Sequence, residues 1–150
     1  MRTRAAVVFG LAWACALAGC GRPFALIPGG ALEGPTAPLP ASWSFTDAEK
    51  TIQLETRPAD PYSVNIWVIA LGEHLYVHAG TNRSTWVENM EADPRVRLRT
   101  GGKIYELAAA RVEDAAEFAR FADAYERKYG RRPSNENVAE AYLFRLGPRS

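Results

Sequence analysis

Hydrophobic and polar residues alternate along several short stretches of the chain after residue 50, and this period of two predicts β-strands. Residues 51–56 form the first such stretch. Residues 96–100 and 103–107 alternate on either side of Gly101-Gly102, a dipeptide typical of a two-residue hairpin turn. The register has three facing pairs: Val96 with Leu107, Leu98 with Tyr105, and Arg97 with Glu106. One face of this hairpin is therefore apolar and the other charged.

An earlier stretch predicts a hairpin that is apolar on both faces. Residues 63–71 are rich in β-branched and aromatic side chains, and residues 75–78 follow after Gly72-Glu73, which would form the turn. Three pairs then face each other: Val68 with Val77, Ile69 with Tyr76, and Trp67 with His78. Such a hairpin must be covered on both sides, so we expect it in a barrel wall or under a partner subunit.

Two helices are predicted between and after these hairpins. Residues 85–88 read Thr-Trp-Val-Glu, a capping-box pattern with Thr85 as the N-cap, and this short helix should end before Asp93-Pro94. Residues 114–117 open a longer helix, which Gly130 should end. Its buried face is indicated by residues at helical spacing: Phe118, Phe121, Ala122, Tyr125 and Tyr129.

The order of elements indicates the fold class. Residues 141–146 predict a last strand, and every strand connection that can be read directly is a hairpin, so the sheet should be antiparallel. About six strands and two helices predict an α+β protein that is mainly β, with the sheet closing into a small barrel.

The amino terminus has the three parts of a secretory signal. Arg2 and Arg4 precede an apolar run of about a dozen residues, which is shorter than the roughly 20 needed to span a bilayer. Small residues lead to Cys20, and Leu-Ala-Gly-Cys at residues 17–20 resembles the lipobox of bacterial lipoproteins. This resemblance implies that residues 1–19 are a signal peptide and that Cys20 is acylated. A signal without lipidation is the alternative.

Proline and glycine are frequent in residues 20–41, and the hydrophobic residues there have neither helical nor strand spacing. This composition predicts a flexible tether between the lipidated cysteine and a domain formed by residues 42–150. The alternative is an irregular arm that packs across the domain, because Phe24, Leu26 and Ile27 are apolar.

Charge and cysteine content exclude several functions. The signal removes two of the 18 basic residues and none of the 17 acidic ones, so the mature chain carries a net charge of −1 and no basic footprint for nucleic acid. Cys15 lies in the signal and Cys20 is committed to lipid, which leaves no thiol for a disulfide or a nucleophile. His74 and His78 should lie roughly 13 Å apart on an extended strand, so we expect no metal site.

Several short motifs lie at characteristic positions. They are Glu-Thr-Arg at 55–57, Ile-Trp-Val at 66–68, Leu-Tyr-Val at 75–77, Gly80, Trp86 with Asn89, and Asp-Pro-Arg-Val at 93–96. Together they resemble the flavin-reductase-like split barrels, which include pyridoxamine-phosphate-oxidase-like proteins and deazaflavin-dependent nitroreductases. The likeness is closest to small uncharacterised members and spans residues 51–146. It implies a six-stranded antiparallel split β-barrel with two helices.

The same resemblance implies a cofactor site. Members of the family usually form dimers and hold FMN or a deazaflavin in a groove between protomers. The positions that match their phosphate clamp are Arg57, Thr81, Arg83, Ser84 and Trp86. Hydroxyl groups, an arginine and free amides at a helix N-terminus can bind an anion. The chain departs from the oxidase pattern because no lysine lies near the short helix and no second arginine follows Arg83.

Two functional hypotheses follow. In the first, the chain is a membrane-anchored lipoprotein whose split barrel binds a flavin-like or other planar ligand, with oxidoreductase activity left open. In the second, the barrel is a non-catalytic interaction module of the cell envelope. In both, the acylated Cys20 binds a lipid bilayer and a homodimer is expected. By analogy with lipoprotein sorting, Gly21 favours the periplasmic face of the outer membrane.

Overall fold

A computed structural model of the chain describes residues 26–149. The strands are β1 (Thr51–Thr56), β2 (Tyr62–Trp67), β3 (Ile69–Leu71), β4 (His74–His78), β5 (Arg95–Thr100), β6 (Lys103–Arg111) and β7 (Leu143–Gly147). The α-helices are α1 (Thr85–Ala92) and α2 (Ala115–Tyr129), and a 3-10 helix spans Ser44–Ala48. The described part of the chain is therefore mainly β with two α-helices, as predicted. The predicted signal peptide and Cys20 lie outside the described residues.

The strands form one curled antiparallel sheet in the order β2-β1-β5-β6-β7-β4-β3. The two outermost strands, β2 and β3, are consecutive in the chain and are separated only by Val68. The sheet therefore curls until its two edges meet at this residue, which gives a half-barrel shape. The prediction of six strands was wrong: the stretch at residues 63–71 is not one strand but two, so the sheet has seven.

The break at Val68 is stabilised from outside the sheet. Its N–H donates to the Tyr129 hydroxyl at 3.0 Å, and its carbonyl accepts from the same hydroxyl at 2.9 Å and from Lys128 Nζ at 2.9 Å. Because buried backbone groups need partners, these contacts replace the ladder hydrogen bonds that Val68 lacks. Only one of the three pairs predicted for the first hairpin is present: Ile69 faces Tyr76, but Val68 lies outside the strands and Trp67 faces Thr51 of β1 instead of His78.

The second hairpin has the predicted register. Val96 faces Leu107, Leu98 faces Tyr105, and Arg97 faces Glu106 across the Gly101-Gly102 turn. The apolar members of these pairs are buried inside the barrel, together with the inward side chains of the other strands and Trp43, Val87 and Met90. The interior of the barrel is thus the main core.

Helix α2 covers the outer face of the first hairpin. Asp114 caps it by accepting from the Glu117 N–H at 2.6 Å, and Gly130 ends it at φ 74°, as predicted. The apolar face of α2 packs on Ile69 and Tyr76 and forms a second core. The hairpin that is apolar on both faces is thus covered within one chain. No partner subunit is needed to cover it, so the apolar hairpin no longer supports the predicted homodimer, which stays a prediction.

Residues 29–37 pack against the barrel, which is the arm that the sequence left as the alternative to a tether. Gly29 exchanges two backbone hydrogen bonds of 2.8 Å with Ser63 at the free edge of β2. Leu32 is buried, and its carbonyl accepts from Arg97 at 3.1 Å. Arg97 also forms an ion pair of 3.0 Å with the buried Glu55, rather than the pair expected with the facing Glu106. The arm therefore covers the polar outer face of β1 and β5.

No helix within residues 26–149 is long and apolar enough to cross a membrane.

Candidate functional site

Apart from Arg57, the residues of the predicted clamp lie in the connection between β4 and α1 and in the first turn of α1. This connection is fixed at its start, where the Ala79 N–H donates to the Tyr142 carbonyl at 2.9 Å and the Tyr142 N–H donates to the Gly80 carbonyl at 2.7 Å. Gly80 has φ 61°, a conformation that side chains disfavour. A rigid turn thus leads into the residues at the start of α1.

Ser84 precedes α1 in an extended conformation and is its N-cap, so the predicted capping box with Thr85 as N-cap was wrong. The Ser84 side chain makes no cap hydrogen bond, and its hydroxyl is buried without a partner among the described residues. The first amides of a helix have no acceptor within the helix. With Ser84 turned away from them, the amides of Thr85 and Trp86 remain available to an anion.

Arg83 is exposed and already paired. Its guanidinium donates to Glu91 at 2.8 and 3.2 Å, and hydrogen bonding to that carboxylate raises the pKa of Arg83 above its usual value. Glu91 also lies 3.6 Å from Arg111, which stacks at 4.3 Å over the Tyr142 ring. Two arginines therefore share one carboxylate. An incoming anion at Arg83 would compete with Glu91 for the guanidinium.

Arg111 was missed by the sequence reasoning. It lies at the end of β6, far from the clamp in sequence, and its guanidinium donates to the Ala141 carbonyl at 2.8 Å. No local motif marks it, because the sheet and the connection to β7 bring it to Glu91. It supplies the second cation that the sequence pattern lacked after Arg83.

The other predicted residues are less suited to a clamp. Arg57 has φ 58° and binds its own turn through a 2.8 Å ion pair with Asp60, without contact to Arg83. Thr81 is exposed in the turn after Gly80. Trp86 is only 8% exposed and packs in the barrel core, with its ring edge-on to Phe144. Trp86 is therefore a core residue and offers no open face for stacking on a planar ligand.

Trp67 is 37% exposed, and its ring already has two partners. Tyr129 stacks on one face at 4.3 Å with an interplanar angle of 16°, and the Arg131 guanidinium lies 5.1 Å from the ring centre. A planar ligand would have to displace one of them.

The residues at the start of α1 fit the anionic part of a nucleotide cofactor better than its ring. Free helix amides and an arginine are groups that hold phosphate. For metals, residues 26–149 contain no group of three or more potential ligands among histidine, cysteine, aspartate and glutamate.

Comparison with known proteins places the chain in a family and identifies its fold. A family described as "Uncharacterized protein conserved in bacteria (DUF2255)" matches residues 45–142. No curated protein sequence matches the chain.

Three solved structures are similar in fold. A conserved hypothetical protein from Mycobacterium tuberculosis has a TM-score of 0.56 and 18% identity, covering 79% of this chain and 87% of that one. A putative pyridoxamine 5'-phosphate oxidase from Listeria innocua has a TM-score of 0.55 and 13% identity, covering 71% and 90%. A FAD-binding protein from Mesorhizobium loti has a TM-score of 0.51 and 17% identity, covering 71% and 86%. Likeness at this level of identity shows the split-barrel fold.

Proposed function

Because the chain belongs to the bacterial DUF2255 family and has the split-barrel fold, we propose that it binds a flavin-like planar ligand and acts as an oxidoreductase. The observation that carries this proposal is the fold shared with a FAD-binding protein and a putative pyridoxamine 5'-phosphate oxidase. FMN or a deazaflavin supplies hydride-transfer chemistry when bound, and the protein supplies binding and orientation.

The start of α1 supports the proposal because it suits the phosphate of such a ligand. Amides at a helix N-terminus attract anions through hydrogen bonds and the helix dipole. We assign the phosphate to the amides of Thr85 and Trp86 and to the Arg83 guanidinium released from Glu91, whereas the buried Ser84 hydroxyl is turned away from it. Because the indole ring of Trp86 is buried in the core, this residue would contribute only its backbone amide.

A ligand titration tests the proposal. The untagged full-length chain is titrated with FMN, a deazaflavin and haem, and binding is followed by the visible spectrum and by quenching of flavin fluorescence. We expect saturable binding of FMN or the deazaflavin at tens of micromolar or below. If none of the three binds in that range, the proposal is wrong.

A matched pair of variants locates the site. Arg83 and Arg95 are similarly exposed, at 58% and 60% of the side chain, and each is paired with one carboxylate. We expect Arg83→Ala to weaken flavin binding by about tenfold or more, the value of a charge-assisted hydrogen bond, and Arg95→Ala to leave it unchanged. Equal effects of the two substitutions would place the ligand elsewhere.

We also propose that Cys20 is acylated and holds the domain at a bacterial membrane, on the periplasmic side. The support is the order of basic, apolar and small residues before Cys20. Cells fed an alkyne-tagged palmitate should label the wild-type chain and Cys15→Ser, but not Cys20→Ser. Label that persists in Cys20→Ser would contradict acylation at this residue.

A second candidate function is a non-catalytic interaction module of the cell envelope. The observation that favours it is that Arg83 and Arg57 are each already paired with a carboxylate. Under this function, the ligand titration gives no binding, and Arg83→Ala changes only the stability, by the roughly 0–1 kcal/mol of an exposed ion pair. The same titration therefore separates the two functions.

A further inference from the structure

Two consecutive apolar side chains of the arm are left exposed. Leu26 is 97% exposed and Ile27 is 65% exposed, which makes them the most exposed large hydrophobic residues in the part of the chain that the structure describes. Single exposed hydrophobic residues are ordinary, but adjacent ones add up to an apolar surface that calls for a partner. Because Gly29 is fixed to Ser63 by two backbone hydrogen bonds of 2.8 Å, this apolar pair is held close to the edge of β2.

The arm directs this apolar pair toward one end of the sheet. Gly29 and Ser63 form an antiparallel bridge, so the chain that precedes Gly29 runs in the direction in which β2 continues to Trp67. Trp67 is the last residue of β2 and is 37% exposed. The opposite end of β2 leads into the turn that joins it to β1. The end of the sheet at Trp67 is therefore the end that the apolar pair approaches.

This end of the sheet combines aromatic rings with cations. Tyr129 stacks on the Trp67 ring at 4.3 Å, and the Arg131 guanidinium lies 5.1 Å from the same ring and also hydrogen-bonds to Tyr125. The Tyr129 hydroxyl lies 3.0 Å from the Lys50 carbonyl, which places Lys50 at this end too. The side chains of Lys50 and Arg131 are exposed, and neither is paired with a carboxylate of the described residues.

Such a combination suits the surface of a bilayer. Tryptophan and tyrosine are enriched where membranes meet water, because their rings are apolar and carry one polar group. Lysine and arginine near the surface are attracted to anionic headgroups, and their apolar stems tolerate the interface. Only six residues separate Cys20 from Leu26, and at no more than about 3.6 Å each they reach roughly 20 Å. An acylated Cys20 would thus keep a bilayer within reach of this end of the sheet.

We propose that, in the lipid-anchored chain, Leu26 and Ile27 enter the bilayer interface and the Trp67 end of the sheet faces the lipid headgroups. The inference rests on the proposed acylation of Cys20 and adds a fixed orientation of the domain to it. Apolar side chains of an interfacial segment lie about 5–10 Å into the boundary between headgroups and acyl chains, and we expect the same depth for Ile27.

A single dye-labelled thiol measures this depth. In the mature chain Cys20 would be the one cysteine and its sulfur would carry lipid, so Ile27→Cys supplies a unique thiol for the environment-sensitive dye NBD. The protein is purified from membranes of cells fed an alkyne-tagged palmitate and placed in vesicles of phosphatidylethanolamine and phosphatidylglycerol. We expect the dye to emit at shorter wavelength than in water, to be shielded from iodide, and to be quenched by lipids brominated about 5–10 Å into the boundary.

Ala59→Cys provides the matched control. Ala59 is exposed in the turn between β1 and β2, beyond Tyr62, and Tyr62 and Trp67 are the two ends of β2, about 17 Å apart at 3.3 Å per residue. We expect the same dye at residue 59 to stay in water, open to iodide and unquenched by brominated lipid. Both positions are exposed, so both variants should fold as the wild type does.

The remaining outcomes overturn the proposal in distinguishable ways. A dye at residue 27 that behaves like the dye at residue 59 would show that the apolar pair stays in water. A dye shielded from iodide but unquenched by brominated lipid would show that protein, such as a second copy of the chain, covers Ile27. Palmitate on Cys20 together with either result refutes the docking alone, whereas absence of palmitate from Cys20 in the same preparation removes the anchor and the docking together.

Discussion

Replacement of His78 by glutamine should remove a large part of the pH dependence of stability. His78 lies on β4 against the aromatic face of α2, with the Phe121 ring 5.4 Å away. Burial in these apolar surroundings lowers the pKa of His78 from 6.5 to about 4. At a pH between these two values, His78 is therefore mostly protonated in the unfolded chain and mostly neutral in the folded protein.

The sign and size of the effect follow from this difference. Between pH 6.5 and about 4 the unfolded chain binds more protons at His78 than the folded chain does, so acid favours unfolding. The contribution is fully present above pH 6.5 and is lost as the pH falls through this window. One pKa unit corresponds to 1.36 kcal/mol, so the full window is worth about 3 kcal/mol, of which about 2 kcal/mol is lost between pH 7.5 and pH 5.

Urea denaturation at pH 7.5 and pH 5 measures this loss. Carboxylates also titrate in this range, but they are the same in both proteins, so they cancel when the two are compared. We expect the wild-type free energy of unfolding to fall by about 2 kcal/mol more than that of His78→Gln. An equal fall in both proteins would refute the reasoning, as would a His78 ring signal that titrates near pH 6.5.

Three other predictions concern contacts that join distant parts of the chain. Arg97→Ala should lower the free energy of unfolding by about 3 kcal/mol in urea denaturation, because it leaves Glu55 buried without its cation; a loss below about 1 kcal/mol would contradict this. Tyr129→Phe should lower the free energy of unfolding by about 1–3 kcal/mol and speed amide hydrogen exchange at Val68. Unchanged exchange would show that the hydroxyl does not stabilise the break between β2 and β3. Leu32→Ala should lower stability by about 2 kcal/mol or more in the same assay, whereas a neutral result would mean that the arm is not docked in solution.

Local patterns predicted the elements whose geometry is set by neighbours in sequence. The register of the second hairpin follows from the Gly101-Gly102 turn, because a two-residue loop fixes which residues face each other. The ends of α2 follow in the same way from Asp114 and Gly130. In each of these elements the signal lies within a few residues of the structure that it determines.

Contacts over long sequence distances explain what the sequence did not reveal. The stretch at residues 63–71 looks like one strand, and its break depends on the Tyr129 hydroxyl, 61 residues away from Val68. Likewise, the Arg111–Glu91 contact depends on the chain returning to the sheet at Ala141 before β7. No periodicity encodes these encounters.

The docked arm changes what an anchor at Cys20 would do. As a free tether, residues 20–41 would give the domain a long reach, but the arm is fixed from Gly29 onward by its hydrogen bonds with Ser63. Only the residues between Cys20 and Gly29 then remain to span the distance from a lipid anchor to the folded domain. At no more than about 3.6 Å per residue, they reach roughly 30 Å. Leu26 and Ile27, exposed at 97% and 65%, lie in this short span, so an acylated chain would hold these apolar side chains close to the membrane surface. An acylated Cys20 and the docked arm would together hold the domain near the bilayer rather than let it move freely above it.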